Sequence, residues 1–190
     1  DNMKSFKKII IILLIVLGFL LVVFGSYVLY ITLQYNRIED SKSYTNEIVN
    51  NQEELLSYEK EYSITTYNIG FGAYNHDFSF FMDSGVMKDG KKVSGKLSKA
   101  VSKSIVLSNT SGSIDIIKKY SPDFAFYQEV DTSSTRSFKI NQYKMIQESF
   151  IEMASVHVSN FHSAYLAYPI FDHHGKVNSG RILMVFRSIV

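Results

Sequence analysis

Hydrophobic and polar positions divide the chain into two unlike parts. From Ile9 to Leu33 no charged residue occurs, and that run exceeds the roughly 20 apolar residues that cross a bilayer core of about 30 Å at helical rise. It is also longer than the apolar region of a cleaved signal peptide, about 7–15 residues. Tyr27, Tyr30 and Tyr35 continue it, as the interface belt of a retained helix would. The pattern therefore predicts an uncleaved transmembrane helix over 9–33. Lys4, Lys7 and Lys8 flank its start, against Arg37 and Lys42 beyond its end. The excess of positive charge keeps residues 1–8 in the cytoplasm and exports the chain beyond Leu33. The expected localisation is the cell membrane, single-pass, with an extracellular domain.

Residues 34–60 are polar, with Glu39, Asp40, Glu47, Glu53, Glu54 and Glu59 opposing Arg37, Lys42 and Lys60. They read as a solvated tether, with a short helix around Glu47 to Tyr58 as an option. From residue 61 onward the pattern becomes that of a folded domain. Tyr62 to Gly70 is β-branched and aromatic and closed by glycine, a strand signal. Helices are expected from about Leu97 to Val106 and from Ser113 to Tyr120, stopped at Ser121-Pro122-Asp123 because proline cannot continue the hydrogen-bond ladder. Phe124 to Glu129 is a second strand. Strand, helix, strand implies a crossover that sets the two strands side by side and parallel. A helix over Ile140 to Ala154, a third strand near Ser163 to Phe171 and a fourth from Arg181 to Phe186 complete a mixed α/β (α+β) order with helices covering a sheet.

Composition narrows the functional classes. The 190 residues carry a formal charge of +2, which argues against a dedicated nucleic-acid coat. The absence of Cys removes a disulfide framework, a thiolate zinc site and a Cys nucleophile, and it is compatible with an exported domain. Residues 61–190 suffice for one small domain. The lysines from Lys88 to Lys103 are interleaved with glycine and serine and read as a solvated loop, with phosphates or anionic headgroups as the functional option. The cluster Phe78, Phe80 and Phe81 reads as core.

Candidate chemistry sits where two strands end in polar residues, Asn68 at Tyr-Asn-Ile-Gly and Glu129 at Tyr-Gln-Glu-Val-Asp. Carboxyl ends of neighbouring strands converge at one sheet edge, where α/β folds bind ligands. A carboxylate and an amide there suit Mg²⁺, which takes hard oxygen ligands and fills its remaining positions with water and phosphate. On spacing alone, a turn-capping Asn68 and a solvated strand-end Glu129 explain the same residues. Arg136 reads either as a phosphate clamp or as one half of a surface ion pair. The pair His173-His174 reads as a polar loop, with His174 facing a substrate as the alternative.

Several blocks resemble one family. Ser63-Ile-Thr-Thr-Tyr-Asn-Ile-Gly-Phe-Gly72 and Ser121-Pro-Asp-Phe-Ala-Phe-Tyr-Gln-Glu-Val-Asp131 look like the first two blocks of the endonuclease/exonuclease/phosphatase superfamily, the DNase I-like fold. Phe80-Phe-Met-Asp-Ser-Gly85, Ser134-Thr-Arg-Ser137 with Ile140-Asn141, and Gly175-Lys-Val-Asn-Ser-Gly180 extend the likeness to a membrane-anchored bacterial branch. The resemblance implies a two-layer β-sandwich flanked by helices and a metal-dependent phosphoester hydrolase of nuclease, phosphodiesterase or phosphatase type. It implies Glu129 as the ligand of Mg²⁺ or another divalent cation and Asn68 as a further group on metal and scissile phosphate. Arg136, His174 and Asn178 join them as substrate contacts. Nucleic acid, a phospholipid and an inositol phosphate are the substrates it leaves open; the bilayer is the other partner, and no protein partner is inferred. The family's later blocks, Asn-Thr-His-Leu, Gly-Asp-Phe-Asn and Ser-Asp-His, do not occur here. The expectation is thus the N-terminal half of such a domain over 61–190, inactive by itself. A non-catalytic remnant or binding module is the alternative.

Overall fold

The computed structural model describes residues 2–35, 37–51 and 56–185. They form two compact units that divide after Asn36. The first is a single helix, α1 (Asn2–Gln34), which extends past the expected span at its N-terminal side. Its apolar side chains are exposed along its length, and it is long and apolar enough to cross a membrane.

The second unit is an α+β domain around one mixed sheet. Its strands are β1 (Ile64–Asn68), β4 (Phe124–Asp131), β5 (Ala154–Leu166) and β6 (Gly175–Val185), in the order β1-β4-β6-β5. β1 and β4 run parallel, in register from Ile64 opposite Phe124 to Asn68 opposite Gln128, as the strand, helix, strand order requires. β6 is antiparallel to β4 and to β5. The remaining pair, β2 (Ser84–Val86) and β3 (Lys92–Ser94), is a separate antiparallel hairpin. The lysine-rich segment read as a loop therefore contains regular structure at its centre. Within the described residues there is one principal sheet layer, rather than the two layers of a sandwich.

Two helices cover one face of the sheet. α2 (Lys103–Tyr120) is a single helix where two were expected. Ser102 caps it by accepting from Ile105 N at 3.2 Å. Its polar middle, Ser108 to Ser113, stays helical with Thr110 and Ser113 buried, their hydroxyls satisfied by the carbonyls of Val106 and Thr110, each at 2.7 Å. α3 (Gln142–Ser149) stops before the expected Ala154. Met153 still faces the core, but from a turn in which its N–H reaches Phe150 O at 3.0 Å. β5 consequently begins well before the expected third strand and ends short of Phe171. β6 begins at Gly175, ahead of the expected Arg181.

The main core joins Ile114 and Ile117 of α2, Ile146 of α3, Ala125 and Tyr127 of β4, and Ile182 and Met184 of β6. These side chains alternate along each strand, so the opposite sheet face carries Ile64, Thr66, Phe126 and Gln128, exposed or half-buried. A second cluster holds Phe71, Ala73, Phe78, Val106 and Ile140 beyond the carboxyl ends of β1 and β4, with Phe80 packed against it. The tether is not wholly solvated. Val49 and Ser155 exchange backbone hydrogen bonds of 2.8 and 2.9 Å, and Asn50 Nδ2 donates to Ile151 O at 3.0 Å. The centre of the optional tether helix, 52–55, and the last residue of the expected fourth strand, Phe186, lie outside the described residues.

Candidate functional site

Asn68 and Glu129 meet at the carboxyl ends of the parallel pair. Asn68 Nδ2 donates to Glu129 Oε1 at 2.8 Å, and Asn68 Oδ1 accepts from Gly70 N at 2.9 Å. The amide is thereby fixed at both ends, and its task is to hold the carboxylate. Glu129 Oε2 has no protein partner among the described residues.

A β-bulge aims this carboxylate. Strict alternation would put Tyr127 and Val130 on opposite faces, yet both are buried in the main core. The β4–β6 register shifts between them, and Glu129 takes φ +55°. The extra residue lets Val130 return to the core while Glu129 is expelled to the exposed sheet end. A non-glycine residue in this left-handed region costs on the order of 1–3 kcal/mol, a strain that concentrates at functional sites.

Glu129 lies on the wall between two cavities. One, of about 630 Å³, opens over the sheet face that the helices leave bare and is lined by Asn68, Tyr74, Arg136, Asn160, Phe161 and Arg181, among others. The second, of about 660 Å³, lies between the end of β1 and α2 and is lined by Gly70, Ser108, Asn109 and Gly112 with Asn68 and Glu129. Burial, then the nearby Asp83 and Glu129 carboxylates, push the Tyr74 phenol above its ordinary value, which keeps it a proton donor.

The turn after β1 builds the cavity floor. Gly70 and Gly72 both have positive φ, and a Cβ at Gly72 would meet Gln142 Nε2 at 2.8 Å and Val106 O at 3.0 Å. Only glycine fits that close approach. Between them Phe71 is turned beneath Arg136, whose guanidinium carbon stands 3.8 Å from the ring centroid. Arg136 is buried, and its fork is already taken. Nε and Nη2 donate to the two oxygens of Asp131 at 3.0 and 2.9 Å, and Ser137 Oγ adds a bond to Oδ2 at 2.9 Å. The ion pair expected as one option from the sequence therefore exists, but in the interior rather than on the surface. Arg181 has no carboxylate partner among the described residues and is the free cation of the cavity.

The other two expected contacts lie elsewhere. His174 is buried, donates from Nδ1 to Ser98 O over 2.7 Å, and packs against Phe80 and Phe81. Burial lowers its pKa. It holds loops together and does not line either cavity, because the chain pairs it with the Ser98 backbone. Asn178 Oδ1 is 2.6 Å from His162 Nδ1, and neither residue lines the cavities. Its neighbour Ser179 does. Sequence reasoning missed Tyr74, Asn160, Ser179 and Arg181. Arg181 carried a signal, being the single charge in the apolar run from Arg181 to Phe186.

A divalent cation fits the donor set in one respect: Glu129 offers a hard, exposed carboxylate oxygen at a cavity mouth. No cluster of three or more His, Cys, Asp or Glu side chains gathers among the described residues, so further positions would belong to water and to substrate oxygens. In comparisons with known proteins, no family model, curated protein or solved structure matches the chain.

Proposed function

We propose that this chain carries the Glu129 half-site of a metal-dependent phosphoester hydrolase, tethered to the membrane by α1 with its domain on the outer side. The observation that carries the reading is Glu129 itself. A bulge and a strained backbone turn it out of the core, and Asn68 then holds it across the ends of two parallel strands. The DNase I-like resemblance of the two blocks containing these residues agrees with it.

In this reading Glu129 would bind Mg²⁺, which supplies Lewis-acid polarisation of a phosphoryl oxygen and offsets charge on the leaving oxygen. Asn68 is a positioning residue: with both ends of its amide engaged, it fixes the carboxylate oxygen that remains open. Arg181 supplies positive charge to a phosphate. Arg136 braces Phe71 and the cavity wall. The substrate class is a phosphoester of a nucleic acid, a phospholipid or an inositol.

A second reading, a metal- or phosphate-binding module without catalysis, is favoured by one feature. No histidine lines either cavity among the described residues, so no side chain of the usual kind stands ready to take a proton from water. Full-length chain in nanodiscs, titrated with Mn²⁺ and monitored by electron paramagnetic resonance, tests the site. Glu129→Gln should abolish binding, and Asn68→Ala should weaken it by about 10- to 100-fold, as loss of an orienting partner does. Unchanged binding in Glu129→Gln would refute both readings. Hydrolysis of bis(4-nitrophenyl) phosphate under Mg²⁺ then separates enzyme from binding module.

A further inference from the structure

Two exposed apolar loops converge at one end of the domain. The β5–β6 connection presents Tyr168, Ile170 and Phe171, of which Ile170 is 68% and Phe171 102% exposed. Beside it, the ring of Tyr168 lies 5.8 Å from that of Phe81. Phe81 leads into Met82, 69% exposed, and then into the β2–β3 hairpin with Val86, Met87 and Val93 exposed.

These side chains are not outside because the loop is slack. Asp172 Oδ2 accepts from Ser98 N at 2.9 Å, the Ser98 hydroxyl donates to Asp172 O, and Lys99 Nζ is 3.0 Å from Asp172 Oδ1. His174 closes the loop with a bond from its N–H to Tyr168 O at 3.1 Å. The polar clamp pins the loop on its inner side and presents Ile170 and Phe171 to solvent. Leaving such large apolar side chains uncovered forgoes the stabilisation of burying them. Patches of this kind mark interaction sites.

The charge beside the patch identifies what covers it. Lys88, Lys91, Lys92 and Lys96 are exposed and make no ion pair among the described residues, while the same segment holds two acidic residues, Asp83 and Asp89. Large aromatic and aliphatic side chains with flanking lysines suit the headgroup boundary of an anionic bilayer. The same chain carries a helix able to span a bilayer.

We propose that the Tyr168–Phe171 loop and the β2–β3 hairpin form a docking surface for an anionic phospholipid bilayer, independent of any hydrolase activity. Ile170 and Phe171 enter the acyl boundary while the hairpin lysines engage headgroup phosphates.

The chain has no Trp, so Phe171→Trp provides a single probe at a position where no packing is disturbed. Full-length Phe171→Trp is placed in nanodiscs of phosphatidylcholine brominated on its acyl chains, with and without phosphatidylglycerol. Blue-shifted emission, quenched by the brominated lipid in discs with phosphatidylglycerol and relieved by high salt, is the result expected. Adding Lys88→Gln, Lys91→Gln and Lys92→Gln should lower the docking equilibrium by about fivefold per lysine, with an unchanged circular dichroism spectrum. Tyr120→Trp, at the far end of α2, should stay unquenched. Solvent-like emission of Phe171→Trp in both discs overturns the proposal, as does equal quenching of Tyr120→Trp. Quenching indifferent to phosphatidylglycerol and to the lysines overturns the assignment to an anionic surface. A blue shift without quenching means that protein, such as a second copy, covers the loop, and also overturns it.

Discussion

Removing the Asp131 carboxylate should erase much of the domain's margin of stability. Asp131 is fully buried and accepts three side-chain hydrogen bonds, two from Arg136 and one from Ser137. In Asp131→Ala the Arg136 guanidinium stays interior with no countercharge, a change that costs about 3–5 kcal/mol. Against a typical domain stability of about 5–15 kcal/mol the loss is large. At a urea slope of about 2 kcal/mol/M the midpoint falls by about 2 M. The assay is urea unfolding of the full chain in nanodiscs, monitored by circular dichroism. Asp131→Leu with Arg136→Met replaces both charges by apolar groups and should recover most of the lost stability. A shift in Asp131→Ala corresponding to less than about 1 kcal/mol would refute the interior ion pair, since exposed pairs contribute that little.

Three further outcomes are expected. Glu129→Gly relieves the left-handed backbone at φ +55° and should stabilise the fold by about 1 kcal/mol while losing Mn²⁺ binding; destabilisation would show that the side chain, not the strain, governs that position. Gly72→Ala forces a Cβ against Gln142 Nε2 and Val106 O at positive φ and should cost at least about 2 kcal/mol, whereas Gly112→Ala, with open space inside α2, should add about 0.5–1 kcal/mol; thermal melts compare them. Burial lowers the pKa of both His157 and His174. The unfolded chain therefore takes up protons first as pH falls, so stability is full above about pH 6.5 and declines below it. Urea midpoints across pH 5 to 8 measure this, and a flat profile would contradict the burial of the two imidazoles.

The legible strands are those whose local chemistry and tertiary role agree. Tyr62 to Gly70 and Phe124 to Glu129 are β-branched or aromatic runs closed by glycine or polar residues, and they pair as the intervening helix requires. α2 reads as two pieces in the sequence because Ser108 to Ser113 has low helix propensity. Burial of Val106, Thr110, Ser113, Ile114 and Ile117 on one face keeps it whole, tertiary packing overriding local propensity. The start of β5 is hidden because Phe150 and Met153 keep helical spacing through what is a turn.

The site divides in the same way. Residue type and position at a strand end mark Asn68 and Glu129, since those properties are local. Whether the carboxylate faces core or cavity depends on one extra residue in β4, which alternation along the strand cannot reveal. The pairing of Arg136 with Asp131, the withdrawal of His174 to the Ser98 carbonyl, and the arrival of Arg181 at the cavity are long-range facts, set by which segments pack together. The long N-terminal helix needs no such context, because the length and apolarity that would let it cross a membrane are local properties. The sequence by itself determined that helix, the parallel strand pair and the two polar strand ends. The tertiary structure decided which way every charged side chain near them points.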